Sequence, residues 1–87
     1  MAALTGELSF ASVPAALDQA DALIADGQID LSGVTRTDSA GLALLLELTR
    51  RARVIGKQLR LGGAAKQVRD LVKFFELDAA LTFEESR

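Results

Sequence analysis

The dipeptide Asp38-Ser39 is where this sequence offers chemistry. It lies between a polar stretch, Ser32 to Asp38, and an apolar run beginning at Ala40. That is the pattern of a loop feeding a helix N-terminus. The first backbone N–H groups of a helix lack intrahelical partners, and an Asp or Ser oxygen can cap them. The helix dipole favours negative charge at the same place, so a phosphate on Ser39 would sit in a favourable field, with Asp38 opposing it as a like charge. Gly41, one turn in, permits close approach of another backbone. On its own the dipeptide is an ordinary cap.

Other chemistry is thin. The chain has no His and no Cys. Zinc sites built on those residues, thiol nucleophiles and imidazole bases are therefore excluded. The carboxylates have no EF-hand-like spacing and no pairing suited to acid–base work. No catalytic residue, metal ligand or cofactor is assigned. Gly62-Gly63-Ala64-Ala65-Lys66 only grazes a phosphate-loop pattern and reads as a turn before a helix.

The elements that must position Asp38 and Ser39 follow from periodicity. Leu4, Gly6, Leu8 and Phe10 alternate, which predicts a strand over Leu4 to Phe10. Ser12 before Val13-Pro14 starts a helix whose apolar face is Val13, Leu17, Ala20 and Ile24, ended by Gly27. Gln28 to Leu31 reads as a short central strand, and Ser32 to Asp38 as loop. The next helix runs from Asp38 or Ser39 to about Ile55, with an inner stripe of Leu42, Leu45, Leu46, Thr49 and Ala52. Leu44 and Leu48 widen that stripe, so the helix is buried on more than one side. Glu47 and Arg51 form an i, i+4 pair. A strand over Gln58 to Leu61 follows. A last helix over Ala65 to Leu77 has Val68, Leu71, Val72 and Phe75 inward and Lys66, Arg69 and Lys73 together on its outer face. Phe74 falls off the inner stripe. A short strand around Leu81 to Phe83 ends the pattern. The order β-α-β-α-β-α predicts an α/β domain spanning residues 1–87.

The chain of 87 residues is 49% hydrophobic, enough for one core, and has a net charge of −2. Its charge is segregated. Residues 1–40 carry six acids and one base. Residues 41–77 carry eight bases and three acids. Such asymmetry bears on partners, not on fold. With a pI near 5.0, few aromatics and no nucleic-acid motif, a nucleic-acid role is not expected. The apolar run Ala40 to Leu48 is too short to span a bilayer, and Met1 to Glu7 has neither the basic region nor the apolar run of a signal peptide.

The segment Ile29-Asp30-Leu31-Ser32, with Val34, Arg36, Asp38-Ser39-Ala40-Gly41-Leu42, the run Leu42-Ala43-Leu44-Leu45-Leu46, Gly56, Leu61-Gly62-Gly63 and Phe75-Glu76-Leu77, resembles STAS domains, the fold of anti-sigma-factor antagonists. It resembles most the MlaB branch, STAS subunits of Mla phospholipid ABC transporters. Two departures stand out. That branch usually has Thr where this chain has Ser39. STAS domains also usually have another strand ahead of Gly6-Glu7-Leu8, for which only Ala2 to Leu4 remains.

The resemblance implies a single STAS-like domain with a small mixed sheet packed with helices. It implies a non-catalytic cytoplasmic protein that is peripheral at the inner membrane. Its partner would be the transporter's ATPase subunit and, through it, the inner-membrane complex, with no direct membrane insertion. The expected partner-binding residues are Thr37, Asp38, Ser39 and Ala40, together with Lys66, Arg69, Lys73 and Phe74. The alternative is an anti-sigma-factor antagonist switched by phosphorylation of Ser39.

Overall fold

The computed structural model describes residues 1–84. Four strands and four helices alternate: β1 (Ala2–Leu8), α1 (Val13–Leu17), α2 (Ala20–Ile24), β2 (Gln28–Thr37), α3 (Ser39–Val54), β3 (Arg60–Gly62), α4 (Lys66–Phe74) and β4 (Thr82–Phe83). The strands lie side by side in sequence order, and every pair is parallel. The mixed sheet implied by the resemblance has no antiparallel pair among the described residues. β1, β2 and β3 are each followed by a helical crossover, which is what returns the chain in the same direction.

The strand residues Leu4, Leu8, Ile29, Leu31, Val34 and Leu61 are buried in one core. They share it with Ala20, Leu23 and Ile24 of α2, Leu42, Leu44, Leu45, Leu48 and Ala52 of α3, and Val68 and Val72 of α4. The strand residues between them, including Thr5, Glu7, Ser32, Thr35 and Arg60, are exposed. Parallel sheets are usually covered on both faces. Here the polar residues of the strands explain how one face remains solvated.

Three sequence expectations need correction. The first helix is two short ones, broken at Asp18 and Gln19. Asp is a poor helix-interior residue and stands at the end of α1. Ser12 is at the N-cap of α1 but does not cap it. Its hydroxyl instead donates to the Glu7 carbonyl at 2.8 Å and accepts from the Ser9 N–H at 2.9 Å, tying the turn to the end of β1. Second, β2 continues through the stretch expected to be loop. Irregularities in the β1–β2 register put Val34 and Thr37, three residues apart, on the buried side. A strand with that spacing escapes a two-residue period. Third, α4 stops at Phe74, and Phe75 is 46% exposed. The chain turns at Glu76 through a positive φ of 58°. The Leu77 N–H then bonds the Val72 carbonyl and the Glu76 N–H bonds that of Lys73, a pattern that closes helix C-termini.

The central helix matches expectation. It is buried along Leu42, Leu44, Leu45, Leu48, Thr49 and Ala52, and Glu47 pairs with Arg51 at 2.7 Å and with Arg50 as well. Leu46 is only partly buried.

Candidate partner-binding site

The site is assembled where β1, β2 and α3 converge. Asp38 is the N-cap of α3, and its Oδ1 accepts from the Gly41 N–H at 3.0 Å. Its Oδ2 accepts from the Phe10 N–H at 3.3 Å, and its own N–H donates to the Leu8 carbonyl at 3.1 Å. One carboxylate thus closes the helix start and the turn after β1. The Gly41 N–H, with Phe10 and Ala40 adding, holds the Asp38 carboxyl below its ordinary range against an opposing effect of burial.

Gly41 is the pivot of this convergence. A Cβ there would collide with Thr37 Oγ1 and the Leu8 carbonyl and lie 2.9 Å from Leu8 Cβ. Thr37 is buried, and its hydroxyl donates to the Leu8 carbonyl at 3.0 Å. It binds β1 to β2 beneath the site.

Ser39 is exposed, and its side chain makes no hydrogen bond with any described residue. The cap expected of Asp38 or Ser39 is Asp38's alone. Ala40 is partly buried.

The α4 residues divide into two flanks. Gln67 reaches the end of β2, where its Oε1 accepts from the Thr37 N–H at 3.0 Å and its Nε2 donates to the Thr37 carbonyl at 3.1 Å. Pairing with β3 extends along β2 only as far as Asp30, so the Gln67 amide does at Thr37 what a neighbouring strand would do. On the Gln67 side, a shallow groove is lined by Lys66, Gln67, Asp70, Leu71 and Phe74. Phe74 is 77% exposed and meets Phe75 edge-to-face at 5.2 Å. Lys66 pairs with Asp70 at 2.6 Å. Arg69 turns the other way, 5.4 Å above the Phe83 ring. The expected patch of Lys66, Arg69 and Lys73 is therefore not one patch. Lys66 is neutralised beside the groove, Arg69 packs towards β4, and Lys73 is exposed.

Sequence reasoning missed Gln67, Leu71 and Phe10. A Gln beside a Lys at a helix start carries no mark of a long-range clamp. Leu71 follows the inner stripe of α4 but is only partly buried. Phe10 continues the alternation of β1, yet it lies past the strand's end and is 84% exposed.

Comparison with known proteins gives this geometry a family. The family model described as Mlab, STAS domain, matches residues 2–82. The "Intermembrane phospholipid transport system binding protein MlaB" of Escherichia coli strain K12 is 45% identical over 51 residues, which are 59% of this chain and 53% of that protein. Its namesake in Shigella flexneri has the same figures. These matches thus span about half the length of those relatives. A crystal structure of a putative anti-sigma factor antagonist from Thermotoga maritima superposes with a TM-score of 0.78 at 18% identity, over 97% of this chain and 78% of that one. The anti-sigma factor antagonist SpoIIAA in its unphosphorylated form gives 0.71 at 21% identity, over 97% and 77%. The two structures share the fold, and the family model reaches from β1 to β4: the chain belongs to the STAS domain family, in its MlaB-like branch.

Proposed function

We propose that the chain is a non-catalytic STAS subunit that docks on the ATPase of an Mla-type phospholipid ABC transporter. It works in the cytoplasm, held at the inner membrane through that complex, and supports the phospholipid transport that maintains outer-membrane lipid asymmetry. The names of the relatives support the transporter. The docking surface is carried by one observation: the Gln67 clamp sets the exposed start of α3, Asp38-Ser39-Ala40, beside the groove of α4. Ser39 with its free hydroxyl and Phe74 are both exposed there. Aromatic side chains at such places are common anchors of interfaces. Thr37 contributes by holding the surface together from beneath.

The test is the affinity of the purified chain for the ATPase subunit encoded in the same genome, alongside melting temperature. Ser39→Thr is expected to bind as the parent does. Ser39→Glu keeps the fold but loses about tenfold or more in affinity, because it buries an unpaired charge. Ser39→Glu binding as tightly as the parent would remove the α3 start from the interface.

A second reading is an anti-sigma-factor antagonist switched by phosphorylation of Ser39. It is favoured by a serine hydroxyl that is exposed, unbonded and at the N-terminus of a 16-residue helix. Incubation with a cognate anti-sigma kinase, followed by mass spectrometry of the Ser39 peptide, separates the two.

A further inference from the structure

A second concavity lies where α3 ends, at the other end of that helix from Ser39. It is a cleft of about 430 Å³ between the end of α3, the segment leading into β3, and β4. Ile55 caps α3 and Gly56, at a φ of 79°, turns the chain. Arg53, in the last turn, and Lys57, just past it, both line the cleft. Gln58 and Thr82 line it too, joined by a 3.4 Å hydrogen bond from Gln58 Nε2 to Thr82 Oγ1. The wholly buried Leu59 is also part of the lining.

Several bases elsewhere on the molecule have an acid close by. Arg50 and Arg51 are paired with Glu47, Arg60 with Glu84 and Lys66 with Asp70. Arg53 and Lys57, like Arg36 and Lys73, make no ion pair or hydrogen bond with any described residue, and among the described residues no carboxylate lines the cleft. A basic residue at a helix C-terminus complements the dipole, which accounts for a cation at Arg53. It does not account for a concavity lined by Arg53, Lys57, Gln58 and Thr82 together. The negative end of the α3 dipole opposes an anion here, an effect offset in part because the carbonyls of Ala52 and Arg53 accept from the N–H groups of Ile55, Gly56 and Lys57.

We propose that this cleft binds a phosphate ester carrying a small polar body. A guanidinium and an ammonium together match a phosphate by charge and by hydrogen-bond geometry. The cleft has the size of a small-molecule site rather than of a lone ion. Gln58 and Thr82 suit the hydroxyls of a glycerol-like body. Val54 and Ile55, 75% and 54% exposed between Arg53 and Gly56, place apolar surface next to the cationic rim. A free glycerophosphate and a phospholipid headgroup share this chemistry. The inference stands apart from the docking surface at the start of α3.

The experiment is a chemical-shift titration of the whole chain with glycerol 3-phosphate, with sodium chloride at matched ionic strength as reference. Co-sedimentation with phosphatidylglycerol vesicles and with phosphatidylcholine vesicles runs in parallel. Saturable shifts of the Lys57, Gln58 and Thr82 amides are expected with the phosphate ester and not with chloride. The double variant Arg53→Gln, Lys57→Gln weakens binding by about tenfold or more. Lys73→Gln, which removes an exposed cation elsewhere, leaves it unchanged. Binding to glycerol 3-phosphate assigns a free ester as ligand. Binding to phosphatidylglycerol vesicles alone, lost in the double variant, assigns a lipid headgroup. No saturable binding in either arm overturns the proposal, as does a double variant that binds like the parent or a Lys73→Gln that fails equally.

Discussion

The side-chain amide of Gln67 is bonded to both backbone polar groups of Thr37, at 3.0 and 3.1 Å, across thirty residues of sequence. These two bonds hold α4 against the end of β2. Gln67→Ala leaves the Thr37 N–H and carbonyl to find water. The expected loss is about 1–3 kcal/mol of stability, with faster hydrogen exchange at the Thr37 amide. Gln67→Glu keeps the acceptor but turns a carboxylate on the Thr37 carbonyl, so it should fare no better than alanine. Denaturant unfolding of both variants checks the order. A Gln67→Glu protein as stable as the parent would show that the donated bond contributes nothing.

Gly41 lies inside a helix, where alanine is ordinarily preferred by about 1 kcal/mol. At this position the added methyl meets Thr37 Oγ1, the Leu8 carbonyl and Leu8 Cβ. Two of these are parts of β1 and cannot swing aside as the end of a flexible side chain can. Gly41→Ala is therefore expected to destabilise, by about 1–3 kcal/mol or more. A rise in melting temperature would mean that helix propensity outweighs the contact.

Asp38 and Ser39 are neighbours with opposite expectations. Asp38→Ala removes the bond to Gly41 and the bond to Phe10 and should cost about 1–2 kcal/mol. Ser39→Ala removes no bond within the chain and should change stability by no more than about 0.5 kcal/mol. Thermal unfolding of the two variants at neutral pH decides the matter. A larger loss at Ser39 than at Asp38 would reverse the assignment of the cap.

Much of this was legible in the sequence because it rests on local signals. The apolar stripe of α3, the stop at Gly56 and the polar start at Asp38 each have a short-range physical cause, and the structure places α3 within a residue of its expected ends. The rest depends on contacts distant in sequence. The second half of β2 is polar because it borders a solvated face, and its register irregularities erase the period that marks a strand. Gln67 acquires a role only when α4 is laid against Thr37. The inward assignment of Phe75 assumed that α4 continued to Leu77, whereas the turn at Glu76 swings that ring outward. Arg69 looked like one of three outer bases until Phe83 arrived beneath it.

The acid limb of the stability curve should carry a contribution from Glu47. Hydrogen bonds from Arg50, then Arg51, pull its pKa from the ordinary 4.5 down to about 2. A carboxyl depressed on folding stabilises fully above its unfolded value and loses that contribution as pH falls through the folded one. The window is therefore pH 4.5 down to about 2. Glu47→Gln should lie below the parent at pH 6 and converge with it near pH 2. The Glu47 side chain is 32% exposed and Arg50 more so, so the gap at neutral pH is expected to be small and to shrink in high salt. Melting temperatures across this range test it. Parallel curves for the two proteins would show that the pairs do not form in solution.

Phe74 separates stability from binding more sharply than any other residue of the α4 groove. It is 77% exposed, and its ring meets Phe75, itself 46% exposed, edge-to-face. Little apolar area is removed from water in the free chain, so Phe74→Ser should shift the melting temperature by only a degree or two, as for an ordinary surface change. On a partner the same ring would be covered, and truncating a buried aromatic anchor commonly costs 2 kcal/mol or more, about thirtyfold in affinity. Leu71 gives the contrast. It is partly buried against the core, so Leu71→Ser should lower both stability and binding. The two variants are compared by melting temperature and by affinity for the ATPase subunit. Unchanged binding by Phe74→Ser, with the parent's melting temperature retained, would take the groove out of the interface and leave Phe74 a solvated surface residue.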